Sequence, residues 1–223
     1  MTIEPTGRSD ERPVVPIDRR ARLAEHLRAL VGDDERLVVV SNRGPLSFKR
    51  TRAGDWKVQR GSGGLVTALA EVGRLAPITW ISAAMDAADR EASGALRADT
   101  GEAHLQLLRR IEEQMPGQDL KLDLREVPSA AWQAHYGKIA NPFLWFMQHQ
   151  LYTLAYEPTV DEELIDAWQN GYRVVNEAFA AAVLEQTKDY RRPVVLLQDY
   201  HLYLAASTIR AKRPDSLLLH FNH

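Results

Sequence analysis

Arg43 ends the stretch LVVVSNR at 37–43, with Asn42 beside it. An arginine directly after an apolar strand presents its guanidinium at the strand's tip. That fork can make paired, charge-assisted hydrogen bonds to a phosphoryl group. The competing use is an ion pair with a carboxylate or a solvated surface position. The turn GSGG at 61–64 comes next and leads into LVTALAEVG, which reads as a helix closed by Gly73. Gly61, Gly63 and Gly64 leave backbone amides uncovered, and the start of that helix favours an anion. Taken alone, the same residues describe an ordinary tight turn. GSGG is not the dinucleotide fingerprint and no P-loop lysine follows, so a nicotinamide-dependent dehydrogenase is a poorer reading.

Three further groups have the right chemistry for a sugar. Tyr136, Asn141 and Trp145 lie in HYGKIANPFLWF. Ring faces meet the apolar faces of sugars and an amide meets hydroxyls, although core packing would use the same residues. Asp199 follows VVLLQ, where its carboxylate can accept from sugar hydroxyls, act as a base, or cap the helical segment after it. His201 shares that turn and can fix its backbone, while Tyr200 is equally suited to the core. His220 and His223 end the chain in HFNH and are candidates at the rim of the last strand. Their spacing does not make a metal pair, and no carboxylate–histidine cluster of metal-ligand type occurs elsewhere. His26, His104, His135 and His149 carry nothing beyond packing or surface roles.

The elements that must hold these residues are legible from periodicity. Residues 18–31 predict a helix capped by Asp18, and 37–41 predict a strand buried on both faces. The segments 45–48 and 56–59 predict a hairpin turning at Gly54. Residues 77–82 read as a strand. The stretch 83–118 predicts a polar loop and one helix near 102–114, and 119–127 a strand. Residues 129–152 look helical but broken at Asn141-Pro142. Residues 161–188 give the longest helical pattern, with Leu164, Trp168, Tyr172, Val175, Phe179 and Val183 on one face. Residues 193–200 and 216–221 are strands flanking a helix around 203–212. Alternating strands and helices predict an α/β fold, a Rossmann-like doubly wound parallel sheet with ligands at the carboxyl ends of its strands. Residues 1–17 hold three prolines and predict a flexible arm.

Composition narrows the setting. The chain has 223 residues, 45% of them hydrophobic, enough for one sizeable core or one large domain of a longer protein. A net charge of -2 gives no electrostatic case for nucleic acid. There is no cysteine, hence no disulfide framework and no thiolate chemistry. No apolar run is long enough for a membrane helix, and no apolar signal core opens the chain. A soluble cytoplasmic protein is expected.

The stretches VVVSNRGP, GSGGLVTAL, ITWIS, HYGKIANPFLWF, WQNGYRVVNEAFA, LLQDYHLYL and LLLHFNH, in this order over 37–223, resemble the trehalose-6-phosphate synthase family. Its members are retaining nucleotide-sugar glycosyltransferases built from two Rossmann domains. The resemblance implies that residues 18–223 form the N-terminal, acceptor-binding domain and that the C-terminal donor domain lies outside this chain. It implies glucosyl transfer from a nucleotide sugar to glucose 6-phosphate, giving trehalose 6-phosphate, with no cofactor and no metal. In that picture Arg43 grips the acceptor phosphate, and Tyr136 and Trp145 line the sugar-phosphate site. Asp199 holds acceptor hydroxyls, Gly63 or Gly64 lies near the donor diphosphate, Trp80 lines the cleft, and His223 contacts the donor sugar. His223 and Asp199 are thus the expected catalytic pair. The interval between Arg43 and Gly61 is longer than in the best-known members. That departure, with the motifs NPFLW and HFNH, keeps open a pseudo-glycosyltransferase joining a nucleotide-activated cyclitol to a phosphorylated aminocyclitol, and a glucosylglycerol-phosphate synthase. A non-catalytic sugar-phosphate-binding or regulatory module is the alternative of another class. The 223-residue chain alone is expected to bind acceptor without turnover, and a homo-oligomer is compatible with the resemblance.

Overall fold

The computed structural model describes residues 18–32, 34–151, 153 and 157–222. The arm expected over 1–17 and the candidate His223 lie outside the described residues. Helix α1 (Arg19–Val31) begins at Asp18, whose side chain accepts from the Arg20 and Ala21 amides, as a cap should. Strand β1 (Leu37–Val40) is buried throughout. Strands β2 (Leu46–Arg50) and β3 (Trp56–Arg60) form the expected hairpin, turning at Gly54 with φ of 87°. Helix α2 (Gly64–Gly73) then leads to β4 (Ile78–Ala83).

Strands β1, β4, β5 (Leu120–Arg125), β6 (Val194–Gln198) and β7 (Leu217–Phe221) make a five-stranded parallel sheet in the order β5-β4-β1-β6-β7. The chain winds outward from β1 to β5, then returns to place β6 on the other side of β1. The topological switch point therefore lies between the carboxyl ends of β1 and β6, where open α/β sheets form their ligand crevice. Strand alternation sorts the core into two layers. Val38, Val40, Ile81, Val195 and Leu197 pack on one face, while Leu37, Val39, Ile78, Trp80 and Val194 pack on the other.

The segment 83–118 holds two helices rather than a loop and one helix. Helix α3 (Ala87–Arg97) precedes α4 (Glu102–Gln114) and is capped by Asp86, which accepts from the Asp89 amide. Its inner face is built from small residues such as Ala88, Ala92 and Ala95, so its periodicity is faint in the sequence. Both helices cover the β2–β3 hairpin, burying Phe48, Trp56, Leu107 and Ile111 in a core of their own.

The expected break at Asn141-Pro142 is absent. Ser129–Ala134, a π-helical stretch His135–Trp145 and Phe146–Gln148 run on as one helix, α5. Proline ends an α-helix because its ring strikes the carbonyl four residues back and its nitrogen carries no proton. A wider π turn shifts the bonding partner to five residues back and relieves that clash. The next helix, α6, has a π stretch as well: Glu162–Ala167, Trp168–Tyr172 and Arg173–Gln186. The two widened segments cross at Gly171, where an added Cβ would lie 2.5 Å from Ala134 Cβ and 2.9 Å from the His135 nitrogen. Helix α7 (Ala205–Lys212) completes the layer before β7.

Candidate active site

The crevice at the switch point is a cavity of about 210 Å³. β1 contributes Ser41, Asn42 and Arg43 at its tip. β6 contributes Gln198 and then Asp199, Tyr200 and His201. The π-helical part of α5 contributes Tyr136 and Asn141, and the first turn of α2 contributes Leu65. Of the residues singled out in the sequence, Arg43, Tyr136, Asn141 and Asp199 thus share one cavity. Trp145 lies one step away, in an apolar recess of about 350 Å³ shared with Asn141, Pro142, Phe146 and Tyr200. The two cavities meet where the Tyr200 hydroxyl donates to Asn141 Oδ1 at 3.0 Å. Burial, with the Asp199 charge beside it, pushes the Tyr200 phenol up to about 12, so it stays a donor near neutral pH.

Arg43 is exposed at the rim and its backbone is pinned from below. Ser41 Oγ donates to the Arg43 carbonyl at 2.6 Å and accepts from Trp80 Nε1 at 2.7 Å. Trp80 therefore does not line the cleft, contrary to the expectation from the resemblance. It is 1% exposed, in mid-strand, on the sheet face packed by Val66 and Leu69 of α2. Its part is to hold Ser41, and through Ser41 the arginine's backbone. Gly63 and Gly64 stand in the open at the start of α2, beside Leu65, with no protein atom within 4 Å of an added Cβ. The fold itself does not require glycine at either position.

Asp199 has φ of 66° and ψ of 170°, a region nearly reserved for glycine, at a cost on the order of 1–3 kcal/mol. Its side chain does not cap the turn that follows, so the capping role open to it in the sequence is not used. Its carbonyl accepts from His220 Nε2 at 2.9 Å, and its amide donates to the Phe221 carbonyl at 2.7 Å. His220 thus braces the Asp199 backbone.

Residues with no assigned role in the sequence reading surround this turn. His135 Nε2 lies 3.0 Å from the His201 carbonyl, so that nitrogen carries the proton. Asn176 Nδ2 donates to the same carbonyl, and Asn176 Oδ1 accepts from the Leu204 and Ala205 amides. The Tyr172 hydroxyl donates to the Tyr200 carbonyl and accepts from the Tyr203 amide. The one sequence signal for this group is an asparagine inside the apolar stripe of α6, between Val175 and Phe179. Aromatic stacking continues the wall, with the rings of Tyr136 and His201 5.9 Å apart and those of Tyr200 and His201 4.2 Å apart.

Burial pulls both histidines down to about 4, the His201 ring being lowered further by His135 beside it. Both are neutral at pH 7. Above pH 6.5 neither the folded nor the unfolded chain protonates them, and stability is complete. Between 6.5 and about 4 the unfolded chain takes up protons that the folded chain refuses, so stability falls as pH falls. The expected loss by pH 4 is on the order of 2–3 kcal/mol. Urea unfolding at pH 7 and pH 5 reads it, and equal stability at the two values would contradict neutral burial.

A larger cavity of about 480 Å³ lies far from this crevice, against the edge strand β5. Its central charges are engaged with one another: Asp123 pairs with Arg97 at 3.4 Å and with Arg125 at 2.5 Å, and Arg125 pairs with Glu185 at 2.7 Å. The rim at the switch point, with an exposed guanidinium above it, is the better anion site.

A doubly wound α/β domain thus gathers arginine, carboxylate, amide and aromatic residues at its switch-point crevice, where open sheets of this kind take their ligands. The chain belongs to glycosyltransferase family 20, whose model matches residues 35–223. It is 29% identical over 194 residues to alpha,alpha-trehalose-phosphate synthase [UDP-forming] A of Dictyostelium discoideum, covering 86% of this chain and 22% of that protein. It is 27% identical over 190 residues to the corresponding synthase of Schizosaccharomyces pombe, covering 82% of this chain and 32% of that protein. The chain thus spans less than a third of the length of these two relatives. In fold it is similar to the E. coli trehalose-6-phosphate protein bound with UDP-2-fluoro glucose, at a TM-score of 0.53 and 21% identity over 85% of this chain and 33% of that one. It is also similar to the N-terminal domain of trehalose-6-phosphate phosphatase from Candida albicans, at a TM-score of 0.56 and 18% identity over 84% of this chain and 33% of that one. Among the described residues no helix is long and apolar enough to cross a membrane.

Proposed function

We propose that this chain forms the acceptor side of a retaining glucosyltransferase that moves glucose from UDP-glucose to glucose 6-phosphate, giving trehalose 6-phosphate and UDP. The observation that carries the reading is the convergence of Arg43, Tyr136, Asn141 and Asp199 on one crevice in a chain matched by the family over 35–223. Arg43 takes the phosphate through its fork, and Asp199 accepts from sugar hydroxyls. Tyr136 and, in the adjoining recess, Trp145 supply ring faces to the sugar–phosphate end. The start of α2 at Gly63 and Gly64 offers amides to the donor's diphosphate.

In the reaction the bond between the glucosyl anomeric carbon and the UDP oxygen breaks. A bond to an acceptor hydroxyl forms on the same face, which retains configuration. The hydroxyl's proton passes to the departing phosphate oxygen. The protein's contribution is to hold the acceptor in line with the donor and to balance charge.

Titrating the chain with glucose 6-phosphate, with shifts followed at Arg43, Tyr136 and Asp199, tests the acceptor half. Saturable binding centred on these residues is expected, and no binding at millimolar ligand would remove the reading. Product analysis by NMR, on a polypeptide spanning the length of the relatives, separates trehalose 6-phosphate from an amine-linked pseudosugar or glucosylglycerol phosphate. A ligand-facing glycine should also be dispensable for folding. Gly64→Ala is expected to stabilise the chain by about 0.4–1 kcal/mol through the unfolded state, read by chemical denaturation. A loss of stability would mean that the fold, rather than a ligand, demands the glycine.

A further inference from the structure

In the turn from Asp199 to Ala205, six residues' main chains are reached from α5, α6 and β7, at 199, 200, 201, 203, 204 and 205. The Tyr200 carbonyl accepts from the Tyr172 hydroxyl at 2.5 Å, and the Tyr203 amide donates back to that hydroxyl at 3.1 Å. The His201 carbonyl accepts from His135 Nε2 and Asn176 Nδ2, each at 3.0 Å. The Leu204 and Ala205 amides both donate to Asn176 Oδ1 at 3.1 Å. His220 Nε2 takes the Asp199 carbonyl. Tyr172 and His135 are 0% exposed and Asn176 is 1% exposed, so none of the three can touch a ligand in the crevice. All their polar contacts with the turn fall on its main chain.

This amount of bracing has an evident purpose in the backbone of Asp199. Its φ of 66° with ψ of 170° is a conformation a non-glycine residue leaves unless its surroundings over-determine it. Asp199 stands in that conformation at the rim of β6, lining the cavity shared with Arg43 and Tyr136. The widened turns of α5 and α6, crossing at Gly171, bring His135 and Tyr172 close enough to stack, with ring centroids 5.3 Å apart. The two helices therefore present their donors to the turn as one unit.

We propose that Tyr172, Asn176 and His135 are positioning residues that clamp the 200–205 main chain directly after Asp199 and so aim the Asp199 carboxylate at the acceptor's sugar hydroxyls. Phosphate recognition by Arg43 does not depend on them. The proposal rests on the acceptor-site reading above and adds residues and a division of labour to it.

Tyr172→Phe removes one buried oxygen and keeps the ring. In the ligand-free chain, amide exchange at Tyr203 and Leu204 should speed by about tenfold or more, while Val38–Val40 keep their protection. Unchanged exchange in the turn would overturn the clamp whatever the ligand is. Affinity for glucose 6-phosphate should fall about tenfold, while affinity for inorganic phosphate stays within about twofold, because only the sugar needs Asp199. Equal losses for the two ligands would make Tyr172 merely structural and end the proposal. Placed on Asp199→Asn, Tyr172→Phe should cost no further glucose 6-phosphate affinity, and additive losses would count against action through Asp199. A second pair covers the case in which Tyr172→Phe does not fold. His135→Gln keeps an N–H for the His201 carbonyl and should retain glucose 6-phosphate affinity, whereas His135→Met should lose it, and like behaviour of the two would overturn the assignment. If the unaltered chain binds phosphate but not glucose 6-phosphate, the acceptor reading falls and the aiming role with it. The exchange data then still report on the clamp separately.

Discussion

Arg43→Ala is expected to lower the affinity of the chain for glucose 6-phosphate by about a hundredfold, while weak binding of unphosphorylated glucose stays within about twofold. The size follows from what the side chain offers. Its guanidinium stands exposed at the switch point, and among the described residues no carboxylate forms an ion pair with it. Its backbone is fixed by the Ser41 bond to its carbonyl and by Trp80 behind Ser41, so the phosphate has only the side chain to order. Losing two parallel charge-assisted bonds to a dianion is among the larger single-residue effects on binding. Arg43→Lys retains the charge but not the fork and should fall between, with a loss of about tenfold. Calorimetric titration with glucose 6-phosphate, inorganic phosphate and glucose reads all three arms. Equal weakening for phosphorylated and unphosphorylated sugar, in a variant that melts like the parent, would remove Arg43 from the phosphate site. Charge contributes at long range, so the wild-type affinity should also decline with added salt more steeply than that of Arg43→Ala.

The parts of this site that the sequence displays are those set by strand ends. Asn42, Arg43 and Asp199 follow continuous apolar runs, and a parallel sheet puts such positions on one rim, which is where they stand. The hairpin between Arg43 and Gly61 is legible for a related reason: two short runs flank a glycine turn, and Gly54 has the positive φ that the turn needs. The remainder was hidden by three physical causes. Proline within α5 reads as a stop under α-helical geometry, and only a widened helix admits Pro142 with Tyr136 and Asn141 on the cavity side. Resemblance points Trp80 to the cleft, whereas strand alternation with Ile81 sends its ring into the opposite core layer. His135, Tyr172 and Asn176 act on main-chain atoms far away in sequence, and a periodicity pattern records them only as core. Long-range contacts to backbone leave almost no trace in the types of the residues they hold.

Gly171→Ala should destabilise the chain by about 3 kcal/mol, although alanine in an open helical site would stabilise by about 1 kcal/mol. The reversal of sign comes from where the methyl group must go. It would lie 2.5 Å from Ala134 Cβ, 2.9 Å from the His135 nitrogen and 3.0 Å from the Ala134 carbonyl carbon. Two of these atoms are backbone, and no rotamer change clears them. The helices α5 and α6 must separate, and the separation acts at the junction where α5 passes from α to π geometry. His135 and Tyr172 flank that contact, so the bonds to the His201 and Tyr200 carbonyls lengthen together. Stability and acceptor recognition should therefore fall in the same variant, with glucose 6-phosphate affinity reduced more than inorganic phosphate affinity. Gly64→Ala is the matched control, because nothing lies within 4 Å of its added methyl. Guanidinium unfolding of the two variants beside the parent gives the comparison directly. A midpoint for Gly171→Ala at or above that of the parent would mean that the two helices can part without cost, and that their crossing does not set the position of the turn that carries Asp199.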